Sequence, residues 1–154
     1  MKKMSRRRVK RHFLKKQVPA AGFCLLYLGC PIIVLAAPTG GVVTAGVATI
    51  GSSGATTTIN QATNKAVINW QSFGIASGET VRFVQPSASS VALNRVVGSD
   101  ASAIYGTLSA NGQVFLINPN GVLFAPGAQV NVAGLVASTL NISYSDFLSG
   151  NYRF

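Results

Sequence analysis

The stretch that decides the fold is residues 112–127, Gly-Gln-Val-Phe-Leu-Ile-Asn-Pro-Asn-Gly-Val-Leu-Phe-Ala-Pro-Gly. Its centre, Asn118-Pro119-Asn120-Gly121, is a turn sequence, because proline restricts its own φ and an Asn-Gly pair tolerates positive φ. Apolar runs flank this centre at 114–117 and 122–125. The stretch therefore predicts two short β-strands joined by a tight reversal, either a plain hairpin turn or a corner of a larger β structure.

Similar short strands recur on both sides of this turn. Residues 66–70 and 80–84 are β-branched or aromatic runs between turn-forming residues, and residues 127–134 supply another short strand closed by glycine. Residues 37–64 carry no charge and are rich in Gly, Ala, Thr, Ser and Val, which favours short strands or a loose leader. No stretch from 37 to 154 has a sustained period of 3.6, so helix is a minor component at most.

Short strands without crossover helices fit either a β-sandwich or a parallel β-helix. The runs 114–117 and 122–125 are continuously apolar, as expected of strands that are covered on both faces, and this favours the β-helix. Asparagines near the predicted corners either form side-chain amide ladders between successive turns of the β-helix or serve as ordinary turn residues. They are Asn111, Asn118, Asn120, Asn131 and Asn141.

The net charge of +10 is concentrated at the N-terminus, where nine of the thirteen basic residues lie within the first sixteen positions. From residue 37 onward, four basic residues face three acidic ones. A nearly neutral body lacks the clustered Lys and Arg that neutralise phosphates, so nucleic acid is excluded as a partner.

Residues 1–36 have the layout of a secretory signal peptide, a basic block followed by an apolar stretch that ends in small residues. We expect the general secretion machinery to export the chain and signal peptidase to cut after Ala36, because a cut after Ala37 would place Pro38 first. Two alternatives stay open. The apolar stretch of roughly 19 residues is long enough for an uncleaved membrane anchor, and Cys30 is a candidate lipid attachment site.

Removal of this segment would also remove His12, Cys24 and Cys30, and with them every histidine and cysteine of the chain. We therefore predict no catalytic residue, no cofactor and no metal site in the mature domain, residues 37–154. Its acidic residues, Glu79, Asp100 and Asp146, are far apart in sequence and are expected to be solvated surface charges. A polysaccharide-active β-helix enzyme is accordingly the weakest of the alternatives.

Several segments resemble, in the same order, the N-terminal secretion domain of filamentous-haemagglutinin-type exoproteins, also known as the haemagglutination activity domain. They are residues 68–73, 78–86, 93–98, 104–108, 110–124 and 130–139. The resemblance implies a right-handed parallel β-helix with an N-terminal cap and extra β-elements. It also implies a two-partner secretion system of a Gram-negative bacterium, in which an outer-membrane β-barrel transporter of the Omp85 type recognises the domain in the periplasm. The exoprotein would then be secreted or displayed at the cell surface.

Two features depart from the family pattern. Ala125 and Ala133 stand where glycine is usual, and residues 147–154 resemble the middle of the domain. The two alanines should not change the fold, whereas the second feature leads us to expect a product that is truncated at its C-terminus.

The expected function is that of a targeting module, which docks as an extended chain on the transporter and then nucleates β-helix folding outside the cell. Six residues are candidates for transporter recognition or for corner geometry: Asn94, Arg95, Asn118, Pro119, Asn120 and Gly121. The main alternative is a surface adhesin that binds its ligands through exposed aromatic side chains such as Tyr105, Tyr144 or Tyr152.

Overall fold

The computed structural model describes residues 36–154, which form a right-handed parallel β-helix with one short α-helix. The elements in chain order are β1 (Val42–Ala45), β2 (Ala48–Ser53), β3 (Thr56–Gln61), β4 (Lys65–Trp70), β5 (Thr80–Val84), β6 (Val91–Val96), β7 (Ser102–Ile104), β8 (Thr107–Ala110), β9 (Gln113–Ile117), β10 (Val122–Phe124), β11 (Gln129–Asn131), β12 (Gly134–Ser138) and α1 (Tyr144–Ser149). The proposed signal peptide, up to residue 35, lies outside the described residues. Within them, no helix is long and apolar enough to cross a membrane.

Three sheets form the walls of the β-helix. The first sheet has the order β1-β4-β6-β9-β12, the second β11-β8-β5-β3-β2, and the third β10-β7. In each turn of the β-helix, here called a coil, the chain passes through the second, first and third sheets, as in β5, β6 and β7. Thr80 pairs in parallel with Thr107, and Thr107 pairs with Gln129, so the two coils take 27 and 22 residues. Parallel pairing between strands a full coil apart rules out the β-sandwich alternative.

The N-terminal end of the β-helix is closed by two antiparallel strands. β1 pairs with β4 and β2 pairs with β3, so the first complete coil presents no free edge in either of these sheets. An unpaired strand edge is a template for association, and here the edges of the parallel coils are covered, so that β1 and β2 are the edge strands at this end. The expected N-terminal cap is thereby confirmed, and residues 42–61 form strands rather than a loose leader.

The interior is filled by side chains that stack from coil to coil. In the first sheet, Ala66 lies in register with Ala92 and Val114, and all three are buried. Trp70 meets Phe73 edge to face, with ring centroids 5.6 Å apart. The fold is therefore stabilised by a continuous apolar stack rather than by charges, as the near-neutral composition indicates.

The outer face of the first sheet is also buried. Val67, Leu93 and Phe115 lie in register there, beneath residues 140–154, a segment called here the strap. The strap contains α1, which begins after the N-cap residue Ser143 and places Phe147 against Phe115, with ring centroids 6.0 Å apart. Coverage on both faces explains the continuous apolar run of β9, as predicted.

Two expectations about burial were wrong. The run 122–125 is covered on one face only, since nothing among the described residues packs over the outer face of β10 and Leu123 is 52% exposed. Glu79 is only 5% exposed instead of being solvated. Its Oε2 accepts a hydrogen bond of 2.8 Å from the backbone N–H of Ala76.

Candidate functional site

The corner between β9 and β10 is built by the Asn-Pro-Asn-Gly sequence. The backbone N–H of Gly121 donates to the carbonyl of Asn118 at 3.0 Å, and the N–H of Asn120 donates to Oδ1 of Asn118 at 2.9 Å. Gly121 has a φ of 112°, a conformation that side chains disfavour. β9 and β10 belong to different sheets, so the plain hairpin interpretation was wrong and the sequence marks a corner of the β-helix.

Asn118 ties this corner to the preceding coil. Its side chain is fully buried, and Nδ2 donates to the carbonyl of Asp100 and to Oγ of Ser102, both at 2.9 Å. Its backbone N–H donates to Ser138 in the following coil at 3.0 Å. Both polar atoms of the side chain are thus engaged inside the folded domain, leaving no free amide for a partner.

Asn120 and Pro119 lie on the surface of the same corner. Asn120 Nδ2 donates to the carbonyl of Gly98 in the preceding coil at 2.9 Å. Pro119 is exposed, at the tip of the turn. These are the members of the motif that a partner can reach in the folded domain.

Asn94 and Arg95 lie in the middle of β6 rather than at a corner. Asn94 points into the core, where Oδ1 accepts a hydrogen bond of 3.0 Å from Nε1 of Trp70, and Nδ2 faces the carbonyls of Ala92 and Phe115. A buried indole N–H needs an acceptor, and Asn94 supplies it. The structure does not bring Asn94 together with the Asn118 corner on one surface.

Arg95 points to the opposite face of the sheet and holds the strap. Its guanidinium donates to the carbonyl of Ile142 and stacks on the ring of Tyr144 at 4.3 Å, within the range of a cation–π interaction. The Tyr144 hydroxyl donates to Oδ1 of Asn69 at 2.9 Å. Burial alone would raise the pKa of Tyr144, but its hydrogen bonds with Asn69 and Thr44 and the charge of Arg95 outweigh burial and lower that pKa.

Side-chain amides do connect successive coils, although mostly by bonding to backbone. Asn111 accepts from the N–H of Gln85 and donates to its carbonyl, both at 2.7 Å, one coil away. The amide-to-amide contact between coils is made by glutamines, with Gln85 Nε2 donating to Oε1 of Gln61 at 3.1 Å. Gln85 directly follows the predicted strand 80–84, and its spacing of 24 residues from Gln61, about one coil, is the sequence signal for this contact.

Lys65 was also overlooked. Its Nζ donates to the carbonyls of Phe147 and Leu148, at 3.1 and 2.7 Å, at the C-terminal end of α1. A cation suits the unpaired carbonyls at a helix C-terminus. No group of three or more His, Cys, Asp or Glu residues able to hold a metal occurs within residues 36–154.

Comparisons with known proteins agree on one family. The family model for the TPS secretion domain matches residues 35–154. A solved structure, the HMW1 secretion domain from Haemophilus influenzae, superposes with a TM-score of 0.71 at 40% identity, covering 73% of this chain and 30% of that chain.

Two curated relatives are the heme/hemopexin-binding proteins of Haemophilus influenzae and of its strain Rd. They are 48% identical over 97 residues and 49% identical over 105 residues, which is 63% and 68% of this chain. The matches cover 10% and 12% of these relatives, so the chain spans about a tenth of their length.

Proposed function

This chain belongs to the TPS secretion domain family, and we propose that it targets a large exoprotein for export through an outer-membrane β-barrel transporter of the Omp85 type. A two-partner secretion domain implies a partner transporter. The destination in this proposal is the surface or the surroundings of a Gram-negative cell, reached through the periplasm after signal peptidase has acted. The domain works by being bound and folded, without catalysing a reaction.

The observation that carries the proposal is the difference between the two ends of the β-helix. The N-terminal end is closed by antiparallel β1 and β2, whereas β10, β11 and β12 each have one edge that no described residue pairs with. At that end Val130 lies in register with Leu108, Leu135 lies in register with Val114, and both remain partly exposed. This supports a module that folds first and offers its last coil to the coils that follow it.

The candidate recognition residues constrain how the transporter binds. Asn94 lies in the core and the side chain of Asn118 is fully used inside the domain, so a partner reaches them only in an unfolded chain. Recognition through these two residues therefore requires docking before folding, in an extended form that suits main-chain strand addition. Pro119 and Asn120 are accessible in either state.

The test is a secretion assay on the full exoprotein with its transporter present or deleted. We expect the wild-type protein to reach the medium only with the transporter. Asn118→Ala should accumulate in the periplasm, while Asn60→Ala is the matched control, an exposed asparagine in β3. Secretion without the transporter would refute the proposal, and normal secretion of Asn118→Ala would remove Asn118 from the recognition site.

The matches cover about a tenth of the length of the relatives, so they do not reach the parts that would carry the activity of a whole exoprotein. The relatives are named for heme/hemopexin binding, and we propose that any comparable activity belongs to the rest of the polypeptide. The adhesin alternative is not favoured by the tyrosines, because Tyr144 bonds to Asn69 and Tyr152 packs against Phe115 at 4.9 Å. Tyr105, 47% exposed, is the member of the three whose ring is most open to a ligand.

A further inference from the structure

The residues around the proposed signal cleavage site are packed against the β-helix. A Cβ atom placed on Gly74 would lie 2.8 Å from the carbonyl oxygen of Ala36, so the chain passes very close to the backbone at this point. Ala37 lies between two small cavities, of about 150 Å³ and about 240 Å³. Each of these cavities is lined by one acidic residue, the first by Glu79 and the second by Asp100.

Glu79 has no counter-charge among the described residues. It is 5% exposed, and its side chain accepts one hydrogen bond, from the N–H of Ala76. A carboxylate removed from water is unfavourable unless a cation or several donors compensate. None of the basic side chains in the coils pairs with it: Arg82 in β5 is exposed between the buried Val81 and Phe83. Lys65 bonds to the end of α1 and Arg95 stacks on Tyr144, both on the outer face of the first sheet.

Signal peptide cleavage would create a cation at Ala37. Hydrolysis of the Ala36–Ala37 bond consumes one water molecule and leaves a carboxylate on Ala36 and an α-ammonium group on Ala37. In the precursor the same nitrogen is a neutral amide with a single N–H. The ammonium group has three donors and a positive charge, which is the chemistry that the buried carboxylate lacks.

We propose that the α-ammonium group of Ala37, once released by cleavage, enters the cavity lined by Glu79 and forms an ion pair with its carboxylate. The inference rests on the cleavage assignment within the proposed function. Asp100 faces the other side of Ala37 but is exposed, so solvent screens its charge and its contribution is small. The mature domain is therefore more stable than the same coils with residue 36 still attached, and cleavage becomes a step in folding.

The close packing of Ala36 against Gly74 indicates whether cleavage or folding comes first. A protease must bind several residues on both sides of the bond in an extended form, and in the folded domain this bond lies against the β-helix. Cleavage accordingly precedes folding of the first coil. The ion pair forms afterwards, when the new terminus settles beside Glu79.

The experiment uses the exported, processed exoprotein, whose N-terminus is first determined by sequencing. The rate of acylation of the α-amine by an activated acetyl ester at pH 7 is then followed by mass spectrometry. Only the unprotonated amine reacts, and an ion pair that raises its pKa by about one unit slows the reaction about tenfold. We expect the α-amine of the wild type and of the control Asp100→Asn to react about tenfold more slowly than the α-amine of Glu79→Gln.

A second measurement covers the case in which Glu79→Gln does not fold. Acetylation of the wild-type α-amine abolishes the ion pair without a mutation, and it should lower the melting temperature of the domain. A sequenced terminus other than Ala37 would overturn both the cleavage assignment and the ion pair. A terminus at Ala37 with equal acylation rates in wild type and Glu79→Gln, or with no effect of acetylation on melting, would overturn the ion pair alone, and transporter-dependent secretion would stand.

Discussion

At Gly121 the space available for a side chain and the backbone conformation have opposite effects on a substitution. A Cβ added there would have its nearest neighbour, the Cβ of Ala101, at 3.9 Å, so the site has room, but the φ of 112° disfavours any side chain. We predict that Gly121→Val lowers the free energy of unfolding by about 1–3 kcal/mol, measured by denaturant melts. Gly51 in β2 is the matched control, since it has open space and no positive φ. Gly51→Val should change stability by less than about 0.5 kcal/mol, and an equal loss at both sites would contradict the argument from φ.

Turn chemistry made the Asn118 corner predictable from sequence, because the bonds that shape it lie within four residues. The bonds from Asn118 to Asp100 and Ser102 were not predictable, since they depend on which residue of the preceding coil lies alongside. The same limit applies to Glu79, whose burial follows from its place beside Ala76 at a corner. An isolated acid in a nearly neutral chain looks the same in sequence whether it is solvated or enclosed.

At the scale of elements, the bounds of a strand were easier to predict from sequence than the segments that pack against it. β5 occupies residues 80–84 as predicted, because a β-branched run between turn residues is a local pattern. The strap was missed because the residues that hold it are distant in sequence. Lys65 bonds to residues 82 and 83 positions away, and Asn69 bonds to Tyr144, 75 positions away. Residues 140–154 have no sustained hydrophobic period, so no local pattern predicts that they pack against the coils.

The strap provides a prediction about a single element. Phe147 of α1 is fully buried and packs against Phe115, whereas the next residue, Leu148, is 44% exposed. Phe147→Ala should remove about 3–5 kcal/mol of packing and release the strap, while the coils beneath remain folded. Hydrogen exchange should show lost protection in α1 and retained protection in β6, and Leu148→Ala should leave both unchanged. Simultaneous loss of protection in α1 and β6 would show instead that the strap and the coils unfold as one unit.

At the scale of the whole molecule, the open end makes a different prediction. Leu135, 37% exposed, points toward the axis of the β-helix, and Leu123, 52% exposed, points away from it. In the full exoprotein, Leu135→Lys would place a charge where the next coil must pack, so residues after 154 should become sensitive to protease while 37–154 resist it. Leu123→Lys is the matched control and should digest like the wild type. Equal resistance of both variants would mean that no further coil packs against this end.

The antiparallel strands at the other end have a consequence that is best described in terms of polymer growth. A β-helix is a one-dimensional polymer of coils, and each coil adds to a free terminus in the way that a subunit adds to a filament. β1 and β2 block one terminus before growth begins, because their outward edges run against the direction of the coils and offer no parallel register for another coil. Growth then has a single direction, from N-terminus to C-terminus, which is also the order in which a polypeptide threaded N-terminus first would emerge. Without β1 and β2, coils could add at either terminus of the β-helix, whereas with them coils add only at the C-terminal one.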